Sequence, residues 1–268
     1  MSIIDTECEY TIITSTTGHP EYLERCLRSV QNQENTPAGS VRHMVVIDGK
    51  CRSSKVQHVM SKLKKEFQGK WKIPIDIIEL PYPTGTNGWI CHRINGAVPY
   101  LCNSKYVSFL DEDNGLEPNH CNTVLETFQK DPELRWIFTL RNLMTYDGSI
   151  VGKDMCESLG DLAPAWNNGQ FFVDTNCYVF TRQLATQLSP LWFRKARQPN
   201  EMDADRAVSH VLLNQQKESL KHTCTHRFTL NYMVGNRSDS VQLGFFERGN
   251  EVLKQHLCSK PIIIGNEL

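Results

Sequence analysis

The chain has 268 residues, with 29 basic and 30 acidic side chains, a formal net charge of −1 and 40% apolar residues. That length and apolar content support a buried core in one large α/β domain or two small ones, and exclude disorder over most of the chain. The near-neutral charge gives no global field to draw in nucleic acid or an anionic membrane, so any phosphate must be held locally.

The first nine residues, Met1 to Glu9, lack a basic region followed by an apolar core, and no run approaches the length of a bilayer span. We therefore expect a cytoplasmic protein with no transmembrane segment. The ten cysteines show no Cys-x-x-Cys spacing, which argues against a zinc knuckle and favours free buried thiols. Asn236-Arg-Ser238 fits a glycosylation acceptor, but without a secretory leader we assign it no role.

No internal repeat or low-complexity linker divides the chain, so a single domain is the simplest reading. Tyr10 to Thr14 is a short β-branched run, and Pro20 to Val30 follows with apolar residues at helical spacing. Next come a strand at Val41 to Ile47, a basic helix near Ser54 to Phe67 and a strand at Ile75 to Leu80. A loop through Pro81 to Gly88 leads to a helix near Trp89 to Leu101 and a strand at Tyr106 to Leu110. Strands alternating with helices imply an α/β fold with a mostly parallel central sheet covered on both faces. The second half is less regular. It predicts a helix at Asn119 to Gln129, a strand at Trp136 to Leu140 and a long loop from Asp154 to Gln170. A strand at Phe171 to Phe180 and a helix at Asp203 to Gln215 follow. Long aromatic loops over a sheet usually shape an acceptor pocket.

Ligands of such sheets bind at the carboxyl ends of the strands. Three polar clusters fall there: Thr14 to Gly18 after the first strand, Asp48-Gly49 after the second, and Asp111-Glu112-Asp113 after the fourth. Once the chain turns at Asn114-Gly115, Asp111 and Asp113 can point into one cleft and hold a hard divalent cation. The competing reading is an ordinary solvated turn, since acid-rich strand ends before Asn-Gly are common on surfaces. Asp48 before Gly49 has the same bland alternative of a turn acid.

The pattern resembles the family 2 glycosyltransferases of the GT-A fold. The matching residues are Thr11 to Thr16, Val45 to Asp48, Asn87-Gly88 with His92 to Gly96, and Tyr106 to Asp113, in the family's order; Asp203-Ala-Asp205 is a weaker fifth match. The resemblance implies one GT-A domain over 1–268. Residues 8–115 would be a Rossmann-like nucleotide-sugar-binding half, and 116–268 would bind the acceptor and supply the catalytic base. It further implies transfer of a sugar from a nucleoside diphosphate donor, UDP-sugars favoured, to a glycan or other hydroxyl acceptor, with Mn²⁺ or Mg²⁺ as cofactor and inversion at the anomeric carbon. In that reading Thr14 and Thr16 line the base pocket, and Asp48 accepts from the base. Arg93 lies near the phosphates or ribose. Asp113 binds the cation, and Asp111 contacts the ribose or the cation, while Glu112 points away because the side-chain period of an extended segment is two. Asp203 is the expected base, standing where the family commonly has the acid of a Glu-Asp pair, with Asp205 next and Asp174 third. The Glu of that pair is missing, and an Asp in a first helical turn is also favoured by capping alone. Some related enzymes add a C-terminal histidine to the metal; His222 and His226 are available, and a lone histidine is more often structural. Trp89 and Trp166 could stack on a sugar or base, or pack in the core.

Two other functions compete. A nucleotidyltransferase acting on sugar phosphates also places metal carboxylates on such a sheet, but its phosphate loop is usually rich in glycine and basic residues, and Thr14 to Gly18 has one glycine and no lysine or arginine. An inactive sugar- or nucleotide-binding protein of the same fold would explain the altered Glu-Asp pair, but gives no chemical reason to keep Asp111 and Asp113 together.

Overall fold

The structure, a computed structural model, describes residues 8–86, 89, 91–162, 171–194, 204–215, 219–236 and 240–259. Its centre is strand β1 (Cys8–Thr16), buried along almost its whole length between β2 (Val41–Ile47) and β4 (Ser104–Phe109), both parallel to it. A parallel strand covered on both faces favours β-branched and apolar residues at every position, which is why the Tyr10 to Thr14 run carries no strict alternation. Strand β3 (Ile75–Glu79) pairs with β2 and closes this edge, and there Ile77 stands 50% exposed.

Helix α1 (Pro20–Gln31) starts on a proline, whose fixed φ and missing N–H suit a first helical turn. Its buried face, Leu23 and Leu27, meets Val45 and Ile47 of β2 and Val56, Val59 and Leu63 of α2 (Ser53–Glu66) in one apolar cluster. Each such side chain contributes about 2 kcal/mol when fully buried. The helix expected over Trp89 to Leu101 is shorter: α3 (His92–Ala97) passes into a 3₁₀ turn, Val98–Leu101. Pro99 removes a donor and crowds the preceding turn, so the α-helix ends before it.

Beyond β4 the chain forms β5 (Gly115–Leu116), α4 (His120–Lys130), β6 (Trp136–Met144), β7 (Ile150–Lys153), β8 (Tyr178–Thr181), α5 (Arg182–Trp192), α6 (Ala204–His210), β9 (His222–Met233) and α7 (Leu243–Ser259). The sheet order is β3-β2-β1-β4-β8-β6-β9-β5, with β7 beside β6. Strand β8 is antiparallel to both β4 and β6, and β9 is parallel to β6. Strands β1, β2, β3, β4, β6 and β9 therefore all end at one rim. The result is a mixed, mostly parallel sheet with helices packed against it, as the α/β reading expected.

Two differences in the second half have local causes. The strand expected over Phe171 to Phe180 is reduced to Tyr178–Thr181. Asp174 instead caps a 3₁₀ turn, Thr175–Cys177, by accepting from the Asn176 N–H at 2.9 Å. The helix expected over Asp203 to Gln215 is α6 followed by a π-helical turn, Val211–Gln215. Among the described residues nine cysteines are free, and all but Cys51 are buried. No described helix is long and apolar enough to cross a membrane.

Candidate functional site

Strand β4 ends by passing its register to Leu110, whose N–H bonds to Ile13 O at 2.9 Å, and the next three residues leave the sheet. Asp111 is held twice by Asn176. Its N–H donates to Asn176 Oδ1 at 2.5 Å, and its Oδ2 accepts from Asn176 Nδ2 at 2.9 Å. Asp113 is held from the other side, by Asn236 Nδ2 on its Oδ2 at 2.6 Å. Asn114 closes the turn by donating its N–H to Asp111 O at 3.0 Å, while its Oδ1 accepts from Met233 N at the end of β9.

Burial and the neighbouring Asp113 charge push the Asp111 carboxyl up to about 7, against the opposing bond from Asn176. Two carboxylates brought close together behave this way, because the charge of one disfavours ionisation of the other. The donor set is hard oxygen with a shared negative charge, so the residues fit a divalent cation that keeps its remaining positions for phosphate oxygens and water. No group of three or more His, Cys, Asp or Glu side chains suited to a metal occurs among the described residues.

Glu112 turns away from this pair, as the period of two requires, and ties down the exit of β1. One of its oxygens accepts from Thr17 N at 2.9 Å and Thr17 Oγ1 at 2.5 Å. The other accepts from Thr16 Oγ1 at 2.5 Å and His19 N at 3.2 Å. The loop after β1 and the acidic turn after β4 are thereby one clamped unit.

Between this unit and Asp48 lies a cleft of about 290 Å³, lined by Ser15, Thr16, Thr17, Asp48, Arg52, Gly85, Thr86, Cys91, Ile94 and residues 111–113. Asp48 sits on its far wall, 4% exposed. It accepts from Thr84 N (2.6 Å), Thr84 Oγ1 (2.8 Å), Gly85 N (3.2 Å) and Arg52 Nη1 (3.1 Å). Those four bonds fill the roughly four lone-pair sites of a carboxylate. In this conformation Asp48 therefore organises the 84–85 loop, and a nucleobase N–H could reach it only by displacing one of these donors. Arg93 stacks over Trp89 at 4.5 Å and donates to Thr84 O at 3.3 Å, so it braces the same loop from behind.

Thr14 does not face the cleft. It is fully buried, with Oγ1 against His43 Nε2 at 2.9 Å, because the side chain projects into the core beneath α1. Thr16 lines the cleft but its hydroxyl is engaged by Glu112 and by Gly18 N. Ser15, a member of the Thr14 to Gly18 cluster to which the sequence assigns no individual role, lines the cleft beside it.

The second half supplies a buried ion cluster on β6. Arg141, 1% exposed, meets Asp154 through Nε (2.8 Å), Asp174 through Nη1 (2.8 Å) and Glu157 through Nη2 (2.6 Å), with its guanidinium 4.2 Å from the Tyr232 ring centre. Burial alone would raise the Asp154 carboxyl, but the Arg141 charge and the N–H groups of Ser158, Cys156 and Glu157 outweigh it and hold it below its ordinary value. Asp174 thus belongs to this cluster and not to an open base position. Asp205 lies in the first turn of α6, where its Oδ1 accepts from Arg206 N at 2.7 Å. Asp203, Asn87, Gly88 and Trp166 lie outside the described residues.

The histidines of β9 are remote. His222 stacks on Trp136 at 4.3 Å and faces Asp161 at 3.3 Å. It lies eleven residues before the rim end of its strand, which at ~3.3 Å per residue is more than 30 Å. His226 is exposed at a positive-φ irregularity seven residues before that end. Among the described C-terminal residues, Asn236 reaches the acidic turn through Asp113 and Met233 through Asn114.

Asn176 and Arg141 carry no motif in the sequence, and the glycosylation-acceptor pattern at Asn236 gives no hint of its contact with Asp113. The one available signal was Asp174 two residues before Asn176, a turn-forming pair set inside an otherwise apolar run.

No protein-family profile matches the chain, and no curated protein matches it by sequence. Solved structures do match its fold. The S. aureus protein TarS, residues 1–349, in complex with UDP superposes with a TM-score of 0.58 at 12% identity, over 84% of this chain and 60% of that one. In its complex with UDP-GlcNAc the TM-score is 0.58 at 12% identity, over 95% and 68%. The mannosyltransferase PcManGT from Pyrobaculum calidifontis, in complex with GDP-Man and Mn²⁺, gives 0.56 at 13% identity, over 97% of this chain and 66% of that one. The chain thus spans about 60% of the length of the TarS fragment bound to UDP. At these identities the likeness shows the fold, which is of the GT-A type.

Proposed function

We propose that this GT-A chain is a glycosyltransferase that moves a sugar from a nucleoside diphosphate sugar to an acceptor hydroxyl. The observation that carries the reading is the pairing of Asp111 and Asp113 on one wall of a cleft whose opposite wall is organised by Asp48, at the common carboxyl rim of the sheet. The matched structures, with UDP, UDP-GlcNAc and GDP-Man bound, support a nucleotide-sugar donor, and the Mn²⁺ of one supports a divalent cation. Asp113 and Asp111 would hold that cation, Mn²⁺ or Mg²⁺. When bound, it supplies charge neutralisation on the departing diphosphate.

The chain's own residues account for the rest. The Thr84–Gly85 loop, Asp48 and Ser15 would frame the nucleoside, with UDP favoured. A base on the opposite face of the sugar, Asp203 or the Asp205 of α6, would take the proton of the acceptor hydroxyl as it attacks. One base and no enzyme nucleophile give inversion at the anomeric carbon. A role in glycan biosynthesis follows from the reaction class.

The nucleotidyltransferase reading is weakened by a specific contact. The loop after β1, where such an enzyme would cradle a triphosphate, has the N–H groups of Thr17 and His19 already donated to Glu112. The test is to incubate the protein with UDP-GlcNAc, UDP-glucose and GDP-mannose, with and without Mn²⁺, and to follow nucleoside diphosphate. We expect release from one donor, dependent on Mn²⁺ and lost in Asp113→Ala. Pyrophosphate released from a nucleoside triphosphate and a sugar phosphate would replace this reading with the rival one.

A further inference from the structure

The two acids of the cleft come from the first half of the chain, but the groups that hold them come from the second. Asn176 is 4% exposed. Both protons of its Nδ2 are used, one on Asp111 Oδ2 (2.9 Å) and one on Asp174 Oδ1 (3.0 Å), while its Oδ1 takes the Asp111 N–H (2.5 Å). Turning the amide over would set its oxygen against two carboxylate oxygens and its NH₂ against an N–H. Its orientation is therefore fixed by its neighbours, and it reads the backbone and the side chain of Asp111 together.

Asn176 is itself anchored. Asp174, whose other oxygen bonds to Arg141, holds the Asn176 N–H and Nδ2, and Arg141 is locked by Asp154 and Glu157 in a planar fork with no freedom to swing. The far oxygen of Glu157 takes Arg206 Nη2 at 2.9 Å, and Arg206 follows Asp205 in α6. An unbroken series of hydrogen bonds thus runs from the acid after β4 to α6, which carries Asp205, one of the two candidate bases. Stability gives little reason for such a cluster, since replacing a buried ion network by apolar residues is often neutral or favourable. Placement of Asp111 does give one.

We propose that Asn176, fixed by the Asp174–Arg141 cluster, is a positioning residue that sets the Asp111 carboxylate for cation binding, and that the same cluster, through Glu157 and Arg206, ties that carboxylate to α6. This rests on the reading of Asp111 and Asp113 as cation ligands. Groups that orient metal-binding side chains typically change metal affinity by about 10- to 100-fold when removed.

The experiment is a Mn²⁺ titration by electron paramagnetic resonance, in the presence of UDP and separately of GDP, on wild type and Asn176→Leu, with thermal denaturation recorded for both. We expect Mn²⁺ affinity to fall by about 10- to 100-fold in folded Asn176→Leu. A variant that is less stable but binds Mn²⁺ as wild type does would reduce Asn176 to packing and overturn the proposal. Asn176→Ala, which adds no bulk, gives the same readout if the leucine variant fails to fold. If wild type itself binds no Mn²⁺ with either nucleotide, the donor-site reading falls and this proposal falls with it. For the link to α6, Arg206→Gln cuts the bond to Glu157 near the surface. It should leave Mn²⁺ affinity unchanged and lower kcat with the donor KM unaltered; an unchanged kcat refutes the link.

Discussion

Glu112 stands between the two candidate metal ligands, and Glu112→Gln separates its role from theirs. The carboxylate receives four donors, two on each oxygen, from Thr16, Thr17 and His19. Glutamine keeps one oxygen and turns an NH₂ toward the other pair. The Thr16 or Thr17 hydroxyl can rotate to accept, but a backbone N–H cannot, so one bond is replaced by a donor–donor clash. Bonds to a charged acceptor contribute about 1.5–3 kcal/mol each, and the contacts to Thr17 and His19 are solvent-exposed and weaker than that range. The expected loss is about 2 kcal/mol, which in a domain of this size lowers Tm by roughly 4–8 °C. Calorimetry measures this, and isothermal titration with UDP and Mn²⁺ measures the consequence. Nucleotide affinity should weaken because Thr16 and Thr17 line the cleft, while Mn²⁺ still binds. A Tm within a degree of wild type together with unchanged nucleotide affinity would refute the clamp.

Asp113→Asn should abolish Mn²⁺ binding and yet raise Tm by a few degrees in metal-free buffer, because it removes the charge that repels Asp111; a lower Tm would contradict the like-charge reading. Gly49 has φ +109°, and a Cβ there would lie 2.9 Å from the Pro83 ring. Gly49→Ala should therefore cost at least about 1 kcal/mol and, by displacing the 83–85 segment from Asp48, weaken nucleotide binding measured by titration. Burial holds His43 down at about 3 and His120 at about 4. Unfolded, both titrate near 6.5, so the folded state binds fewer protons; the stability of keeping them neutral is complete above about pH 6.5 and drains as pH falls toward those values. Urea denaturation at pH 7 and pH 5 should differ by about 2 kcal/mol for each histidine, and His43→Gln should remove roughly half of the difference.

The first half of the fold was legible because its elements are local and amphipathic. Val41–Ile47 and Pro20–Val30 carry their own signals, and parallel pairing then brings Thr16, Asp48 and Asp111 to one rim. The second half was harder. Strand β9 mixes His, Thr, Arg and Asn with its apolar positions, since both faces are only partly covered, and it has no clean period. Asp174 looked like a strand residue because its neighbours are apolar, whereas its side chain bonds the backbone two residues on and ends the extended run. Likewise the site's acids were visible from their spacing, but their holders were not. Asn176 and Asn236 are far from Asp111 and Asp113 in sequence and meet them only through the tertiary fold. Thr14 and Thr16 share one face of β1, so alternation alone could not show that Thr14 would lie in the core.

We propose the cleft between Asp48 and the Asp111–Asp113 pair as a nucleotide-sugar donor site that works with a divalent cation. Its most direct test is a thermal-shift panel of uridine, guanosine, thymidine and cytidine diphosphates, each with and without Mn²⁺. A ligand at a hundred times its dissociation constant stabilises by about 2.7 kcal/mol. One diphosphate, UDP first, should give a shift of several degrees that requires Mn²⁺ and disappears in Asp113→Ala. A folded wild-type protein that responds to none of the four would contradict it.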